Sequence, residues 1–297
     1  MLLSREQLLE SFARLNVWSR RGERAPHKPL LVLYALGRLS RGEPPEVSFR
    51  ELTPALTGLL RDFGPPRRSQ HPEYPFWRLR NDKVWQVEAD SALEPRANNS
   101  DPKKSELLEH GARGRFTNGV LEALRNDPGL ASDLARQLLD AHFPETLHSD
   151  IDSAVGLALD QSPSRRRRDP GFRDRILVAY EFRCAVCSLD MRLGTSSLAL
   201  EAAHIRWYQS GGPDEECNGL ALCVLHHKVF DLGAVPVRPD LVLLVSDQVN
   251  GSTGLHESLL CFHGRAIREP QRPEHRPEKD HLAWHEREVF RGSPRHL

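Results

Sequence analysis

The chain has 297 residues, 39% hydrophobic and 28% charged, with 41 basic side chains matched by 41 acidic ones. That composition excludes a disordered or fibrous chain and suits a soluble protein of about two domains. A net charge of zero argues against a uniformly basic nucleic-acid binder, so phosphate contact has to come from local basic faces.

Ser4 and Gln7 form a capping-box pattern, and Leu8, Phe12 and Leu15 follow at helical spacing, which predicts a helix to about Val17 or Trp18. Arg20-Arg21-Gly22-Glu23-Arg24 is a first basic cluster, with Arg67-Arg68 and Arg165 to Arg168 further on; each alone reads as solvated surface. Pro29 suits the first position of a second helix, Leu30 to Leu39, apolar nearly all round and therefore central to a core. This is the longest apolar run, about half of what a membrane helix needs. The N-terminus turns acidic at Glu6, too early for a signal peptide. For the next helix, both Ser48 and Thr53 offer starts. A start at Ser48 puts Pro54 in the interior, so Thr53 is preferred. After a loop rich in Arg, His and Pro, residues 76–79 and 84–87 flank Asn81-Asp82-Lys83 and read as a β-hairpin. Short helices are expected over 103–143, interrupted at 112–116 by a flexible basic loop carrying Arg113 and Arg115.

Apolar density falls after Leu159, which places a boundary there: a first domain over 1–160, a basic linker over 161–168 and a second domain over 169–297. The second domain opens on Asp169-Pro170, a cap and first-turn proline, and continues with a helix through Ile176, Leu177 and Tyr180. A strand near 198–204, a Gly211-Gly212-Pro213 loop, a short helix with His226 and His227, and a strand pair over Val235 to Ser246 follow; the order of the tail after Pro270 is left open.

Five cysteines is an odd number, and three sit at metal-like spacing, which fits a reducing compartment, the cytoplasm, better than a disulfide framework. Cys184-x2-Cys187 and Cys223-x2-His226 match a tetrahedral zinc site built from two tight turns; Cys217 is an alternative fourth ligand, and Cys261 reads as a core cysteine. Between these pairs lie His204 at a strand end and Asn218; His227 adjoins His226. Phosphodiester hydrolysis needs a base for water, a Lewis acid at the phosphate and a group that orients the base. His204 fits the base, His227 a ligand of a divalent cation, and Asn218 an orienting group acting on the imidazole through its amide.

Ala-Ala-His-Ile, Gly-Gly-Pro, Asn-Gly-Leu-Ala-Leu-Cys and His-His-Lys-x-Phe-Asp, with the Cys-x2-Cys pair, resemble an HNH (ββα-metal) endonuclease over about residues 169–290. The resemblance implies His204 as general base, Asn218 as orienting residue and His227 as ligand of Mg²⁺ or Mn²⁺, beside a structural zinc. Many HNH enzymes carry Asp before the first His; here Ala203 stands there, and Asp231, ahead of Glu201, is the candidate second ligand.

In the first domain, His27, Lys28, Trp77, Arg78, Arg113 and Arg115 suit DNA contact. Pro26-His27-Lys28-Pro29-Leu30-Leu31 together with Tyr74-Pro75-Phe76-Trp77-Arg78-Leu79 resembles the sulfur-binding domain of phosphorothioate-dependent type IV restriction endonucleases. That resemblance implies a shallow apolar sulfur pocket containing Tyr74 and Pro75, flanked by His27 and Lys28. The expected fold is α+β: a mainly helical DNA-binding domain with a β-hairpin, joined to a zinc-stabilised ββα-metal domain. The expected activity is restriction of phosphorothioate double-stranded DNA by a homodimer. A nuclease reading another DNA modification, and a non-catalytic zinc-stabilised DNA-binding protein, are the competing readings.

Overall fold

The computed structural model describes residues 4–17, 23–91, 93, 101–157, 159, 169 and 171–296. Trp18, Arg20, Arg21, Pro170 and the Arg165 to Arg168 run fall outside the described residues. The chain divides into two compact units, Met1–Ser164 and Arg165–Leu297. Together they make an α+β protein with small sheets. No described helix is long and apolar enough to cross a membrane.

The first unit opens with α1 (Arg5–Ala13), where Ser4 and Gln7 complete the capping box. It stops short of Val17, although Leu15 stays buried. Helix α2 (His27–Ser40) starts two residues before Pro29. Proline is tolerated there because first-turn amides have no intrahelical partner. As its all-round apolar pattern predicts, α2 is the core helix, with Leu30, Leu31, Val32, Leu33 and Leu36 buried. The two-residue strand β1 (Val47–Ser48) leads into α3 (Phe49–Phe63), which Ser48 caps by accepting from the Glu51 amide at 3.2 Å.

The expected start at Thr53 is therefore wrong, and Pro54 lies inside the helix. An interior proline costs about 3 kcal/mol. The earlier start buries Phe49 and Leu52 completely, worth about 1.5–3 kcal/mol each, so packing outweighs the lost backbone bond.

The predicted hairpin is not formed. Residues 73–78 make α4 (Glu73–Arg78), followed by a 3₁₀ turn at Leu79–Asp82. Phe76 and Leu79, one turn apart, are both fully buried, and Phe76 packs on Phe49 with ring centroids 4.8 Å apart. The i, i+3 spacing prevailed over the apparent alternation. Strand β2 (Trp85–Glu88) pairs instead with β3 (Arg113–Phe116), beyond α5 (Lys104–Glu109).

The sheet order is β1-β3-β2, so the stretch expected to be a flexible loop is the central strand. Its period-two burial, with Gly114 and Phe116 inward and Arg113 and Arg115 outward, is masked in the sequence by a glycine at an inward position. A side chain at Gly114 would lie 2.5 Å from Trp85 and 2.8 Å from Phe76. Helices α6 (Asn118–Asn126), α7 (Leu130–His142) and α8 (His148–Val155) complete the unit.

The second unit begins with α9 (Phe172–Ala179). A hairpin of β4 (Arg192–Leu193) and β5 (Ser196–Ser197) precedes the antiparallel pair β6 (Leu200–His204) and β7 (Gly219–Cys223), and α10 (Val224–Asp231) follows directly. The register sets His204 opposite Gly219 and Leu200 opposite Cys223. His204 and Cys223 thus lie at opposite ends of one ladder. The predicted strand pair over Val235 to Ser246 is replaced by isolated bridges, Val237 with Leu243, Val242 with Ala266 and Ser246 with Pro294. Helix α11 (Leu255–Ser258) precedes the tail, which α12 (Lys279–Glu288) orders by burying Leu282 and Trp284.

Candidate active site and nucleic-acid interface

Helix α9 packs under the β6–β7 pair and supplies its floor. Phe172 stacks on the His204 imidazole, with centroids 4.1 Å apart and planes 16° from parallel. On its other edge, His204 Nε2 lies 2.7 Å from Asp214 Oδ1. A carboxylate there accepts the Nε2–H and so favours that tautomer. Asp214 is itself fixed: Arg175 of α9 donates to its carbonyl at 2.8 Å and pairs with Asp169 and Glu216.

Asn218 is fully buried. Its Oδ1 accepts from the Arg206 amide at 2.8 Å, and its Nδ2 donates to the carbonyls of Arg206 at 3.0 Å and Pro213 at 2.9 Å. The amide therefore cross-braces the loop between β6 and β7 and does not touch the imidazole, contrary to expectation. Gly212 makes this brace possible, because a Cβ there would lie 1.8 Å from the Arg206 carbonyl oxygen. The effect still reaches His204, because the loop that Asn218 ties down carries Asp214.

His227 sits between two carboxylates. Its Nδ1 lies 2.7 Å from Glu201 Oε2 on β6, and its Nε2 lies 3.1 Å from Asp231 Oδ2 one turn along α10. Burial alone would depress this imidazole, but Asp231 and Glu201 outweigh it and lift its pKa to about 9. The hydrogen bond from His227 in turn holds Glu201 below the ordinary carboxylate range. The two flanks differ in access. The Glu201 side chain is 44% exposed and that of Asp231 is 2% exposed.

One ladder position away from Glu201, Cys184, Cys187, Cys223 and His226 place one ligand atom each within 4.8 Å of one another. Cys187 and Cys223 sulfurs are 3.9 Å apart, and Cys184 Sγ is 3.7 Å from His226 Nδ1. Zinc–sulfur bonds of about 2.3 Å in a tetrahedron give edges near these lengths. His226 Nε2 lies 3.0 Å from the Ser258 carbonyl, while Nδ1 faces the Cys184 and Cys223 sulfurs, so Nδ1 is the nitrogen this cluster could offer a metal. The crowded thiols are polarised, with Cys184 drawn far down by hydrogen bonds from Cys187 and Cys223, while hydrogen bonding to Cys184 and Cys223 pushes Cys187 up. Cys217, the alternative fourth ligand, lies elsewhere. It groups with Glu278 and His281, and burial together with Glu278 and Glu215 pushes its thiol up to about 11. Cys261 is half-buried and its thiol meets the Glu257 carbonyl at 3.2 Å.

In the first unit, Tyr74 at the start of α4 is 40% exposed. Its ring stacks on His71 at 5.0 Å, with the Arg78 guanidinium 4.8 Å from its centroid. Pro75 beside it is buried. His27, the first residue of α2, is driven down to a pKa of about 4 by burial, assisted by the nearby charges of Arg67, His71 and Arg24. It is therefore neutral at physiological pH.

Lys28 faces inward. Its ammonium meets Asp82 at 2.5 Å, with side-chain exposures of 11% and 6%, so it packs the unit and is not offered to a phosphate. Trp77 is covered by Arg80, 3.4 Å above its ring. Arg78 also bonds Asp101, Arg113 pairs with Asp90 and Glu46, and Arg115 contacts Asn118 and Glu88.

Sequence reasoning missed Asp214, Phe172, Arg175 and His71. An acidic residue directly after Gly211-Gly212-Pro213 was a usable signal for Asp214. The stacking of Phe172 had none.

A family model described as ScoMcrA-like, DNA sulfur-binding domain matches residues 5–160. A second, described as HNH endonuclease, matches residues 184–237. No curated protein matches the chain. Among solved structures, the sulfur binding domain of SprMcrA complexed with phosphorothioated DNA is 20% identical, with a TM-score of 0.45 over 52% of this chain and 95% of that one. The corresponding domain of ScoMcrA is 22% identical, with a TM-score of 0.45 over 50% and 94%. The type IV phosphorothioation-dependent restriction endonuclease ScoMcrA is 23% identical, with a TM-score of 0.41 over 58% of this chain and 33% of that one.

Proposed function

The chain belongs to the ScoMcrA-like DNA sulfur-binding domain family and carries an HNH endonuclease domain; from that premise we propose a phosphorothioate-dependent DNA endonuclease acting in restriction. The observation that carries the reading is the presence of both matched regions in one chain, the second with a braced histidine at the end of its ββα ladder. We assign residues 1–160 to recognition, 161–168 to a basic linker and 169–297 to cleavage.

Recognition follows from the chemistry of sulfur. Sulfur is larger, more polarizable and more weakly hydrated than oxygen, so apolar contact favours it where a hydrogen-bond donor would favour oxygen. Tyr74 and Pro75 supply such a face. His27 kept neutral, the positive end of α2 and the guanidinium of Arg78 beside Tyr74 surround it with donors for the remaining phosphate oxygens. Arg113 and Arg115 exchange carboxylate partners for phosphates on the outward face of β3, and Trp77 backs the surface under Arg80. Lys28 supports from behind.

In the cleaving domain, His204 takes a proton from water while Asp214 holds its tautomer and steadies the imidazolium that forms. Phe172 fixes the plane of the ring, and Asn218 and Arg175 fix the loop and Asp214. A divalent cation, Mg²⁺ or Mn²⁺, supplies Lewis-acid stabilisation of the phosphate when bound.

The residues present fit such an ion. An imidazole and a carboxylate leave the remaining positions to water and phosphate oxygens, the pattern Mg²⁺ prefers. The exposure of the two flanks reverses the expected ranking. Glu201, on the open side, is the second ligand with His227, and the buried Asp231 accepts the other ring N–H behind it. Zn²⁺ at Cys184, Cys187, Cys223 and His226 would hold the domain together, and unpaired thiols in such a cluster support a reducing compartment, the cytoplasm. Two cuts in a duplex require two such domains, so a homodimer acts.

Competition binding tests recognition separately from cutting. The His204→Ala protein should bind a duplex with one phosphorothioate about tenfold or more tightly than the matched plain duplex, the scale of one well-fitted apolar contact. Equal affinity would refute sulfur recognition.

A further inference from the structure

Cys217, Glu278 and His281 bring a thiol, a carboxylate and an imidazole within 4.8 Å of one another, away from the four-ligand cluster. They come from two elements. Cys217 directly precedes Asn218, and Glu278 and His281 open α12. The backbone already joins these elements, since the Glu278 amide donates to the Cys217 carbonyl at 2.9 Å. Trp284 of α12 meets Trp207 of the catalytic loop at 6.1 Å.

His281 is 92% buried, the complement of its 8% exposure, and its Nδ1 has no hydrogen-bond partner. A buried imidazole with an unused nitrogen is costly, and native structures place such groups against a partner or an ion. Its contact with Glu278 is also long. Nε2 stands 3.4 Å from the carboxylate, beyond the 2.7 Å at His204–Asp214 and 2.8 Å at His71–Glu73. The third corner is a thiol with another carboxylate, Glu215, at 3.7 Å.

We propose that Cys217, Glu278 and His281 form a second zinc-class cation site that ties α12 to the loop carrying Asn218. One sulfur, one nitrogen and one oxygen donor suit Zn²⁺ over Mg²⁺. Three protein ligands leave the fourth position to water. The site is separate from the Cys184 cluster and from His227, and stands whether or not the chain cleaves phosphorothioate DNA. Its role is to hold the brace of the active-site loop from outside.

Metal analysis of the full chain, dialysed against trace zinc with excess Mg²⁺ to fill the His227 site, tests the assignment. The native protein should retain two zinc ions per chain. Cys217→Ser and His281→Gln should each retain one. A single zinc in the native protein, or two retained in both variants, overturns the proposal. Alkylation of the native chain by iodoacetamide, mapped by mass spectrometry, needs no variant. Raising zinc from one to two equivalents should slow Cys217 labelling at least about tenfold, because a ligating thiolate is withdrawn from reaction. An unchanged rate is the contrary result.

Discussion

The two units treat their functional side chains in opposite ways. In the cleaving unit the key groups are buried or half-buried and fixed by neighbours: His204 between Phe172 and Asp214, Asn218 bonded three times to one loop, and His227 between two carboxylates. In the recognition unit, Tyr74 is open to solvent and most candidate cations are engaged with carboxylates on the same surface. The difference follows from the tasks. Transition-state stabilisation rewards geometry set in advance. Phosphate binding only requires cations that can exchange one anionic partner for another.

The largest expected effect removes the metal frame of the cleaving unit and leaves the other untouched. Cys184→Ser should abolish zinc retention at the four-ligand cluster and the cooperative melting of residues 169–297, since structural zinc contributes about 10–16 kcal/mol of apparent binding energy to such domains. Helix content and phosphorothioate binding by residues 1–160 should persist. A variant with the same zinc content as the native chain contradicts the assignment.

Next in size is the base. His204→Ala should lower cleavage by about 10²–10⁴-fold with DNA affinity unchanged. Asp214→Asn should produce a smaller loss of the same kind, in kcat and not in binding. Cleavage at the native rate by either variant would remove that residue from the mechanism.

The recognition unit should show a pH dependence of its own. His27 has a folded pKa of about 4 against an ordinary 6.5. The unfolded chain therefore binds the extra proton first, and stability falls as pH drops from 6.5 towards 4. Full expression of that shift is about 3 kcal/mol. Denaturant melts of residues 1–160 should show the decline, and His27→Asn should flatten it. A flat native profile would place His27 in solvent. The smallest effect is at the proposed sulfur face, where Tyr74→Ala should reduce preference for sulfur-modified DNA by about tenfold without altering cutting chemistry.

The same contrast governs what was legible in the sequence. Zinc ligands must lie on tight turns, so Cys184-x2-Cys187 and Cys223-x2-His226 are visible as spacing, and the structure brings the four together. His204 and His227 are visible because a strand end and a helix start carry them. What the sequence hid is side-chain direction. The amide of Asn218 turns to the backbone of Arg206 and Pro213, and Glu201, not Asp231, lies on the open flank of His227. In the recognition unit, two period errors had packing causes. Phe76 and Leu79 share a helical face, and Gly114 disguised an inward strand position against Trp85. Lys28 reads as a phosphate ligand by type, and only the buried Asp82 opposite it shows otherwise.

The central claim is that one unit finds sulfur and the other cuts. Its most direct test is cleavage of two duplexes identical in sequence, one with a single phosphorothioate, in the presence of Mg²⁺ or Mn²⁺. The account predicts double-strand cutting of the sulfur-bearing duplex, at a distance from the modification, and survival of the plain one. Equal cutting of both, or cutting of neither under either ion, would contradict it.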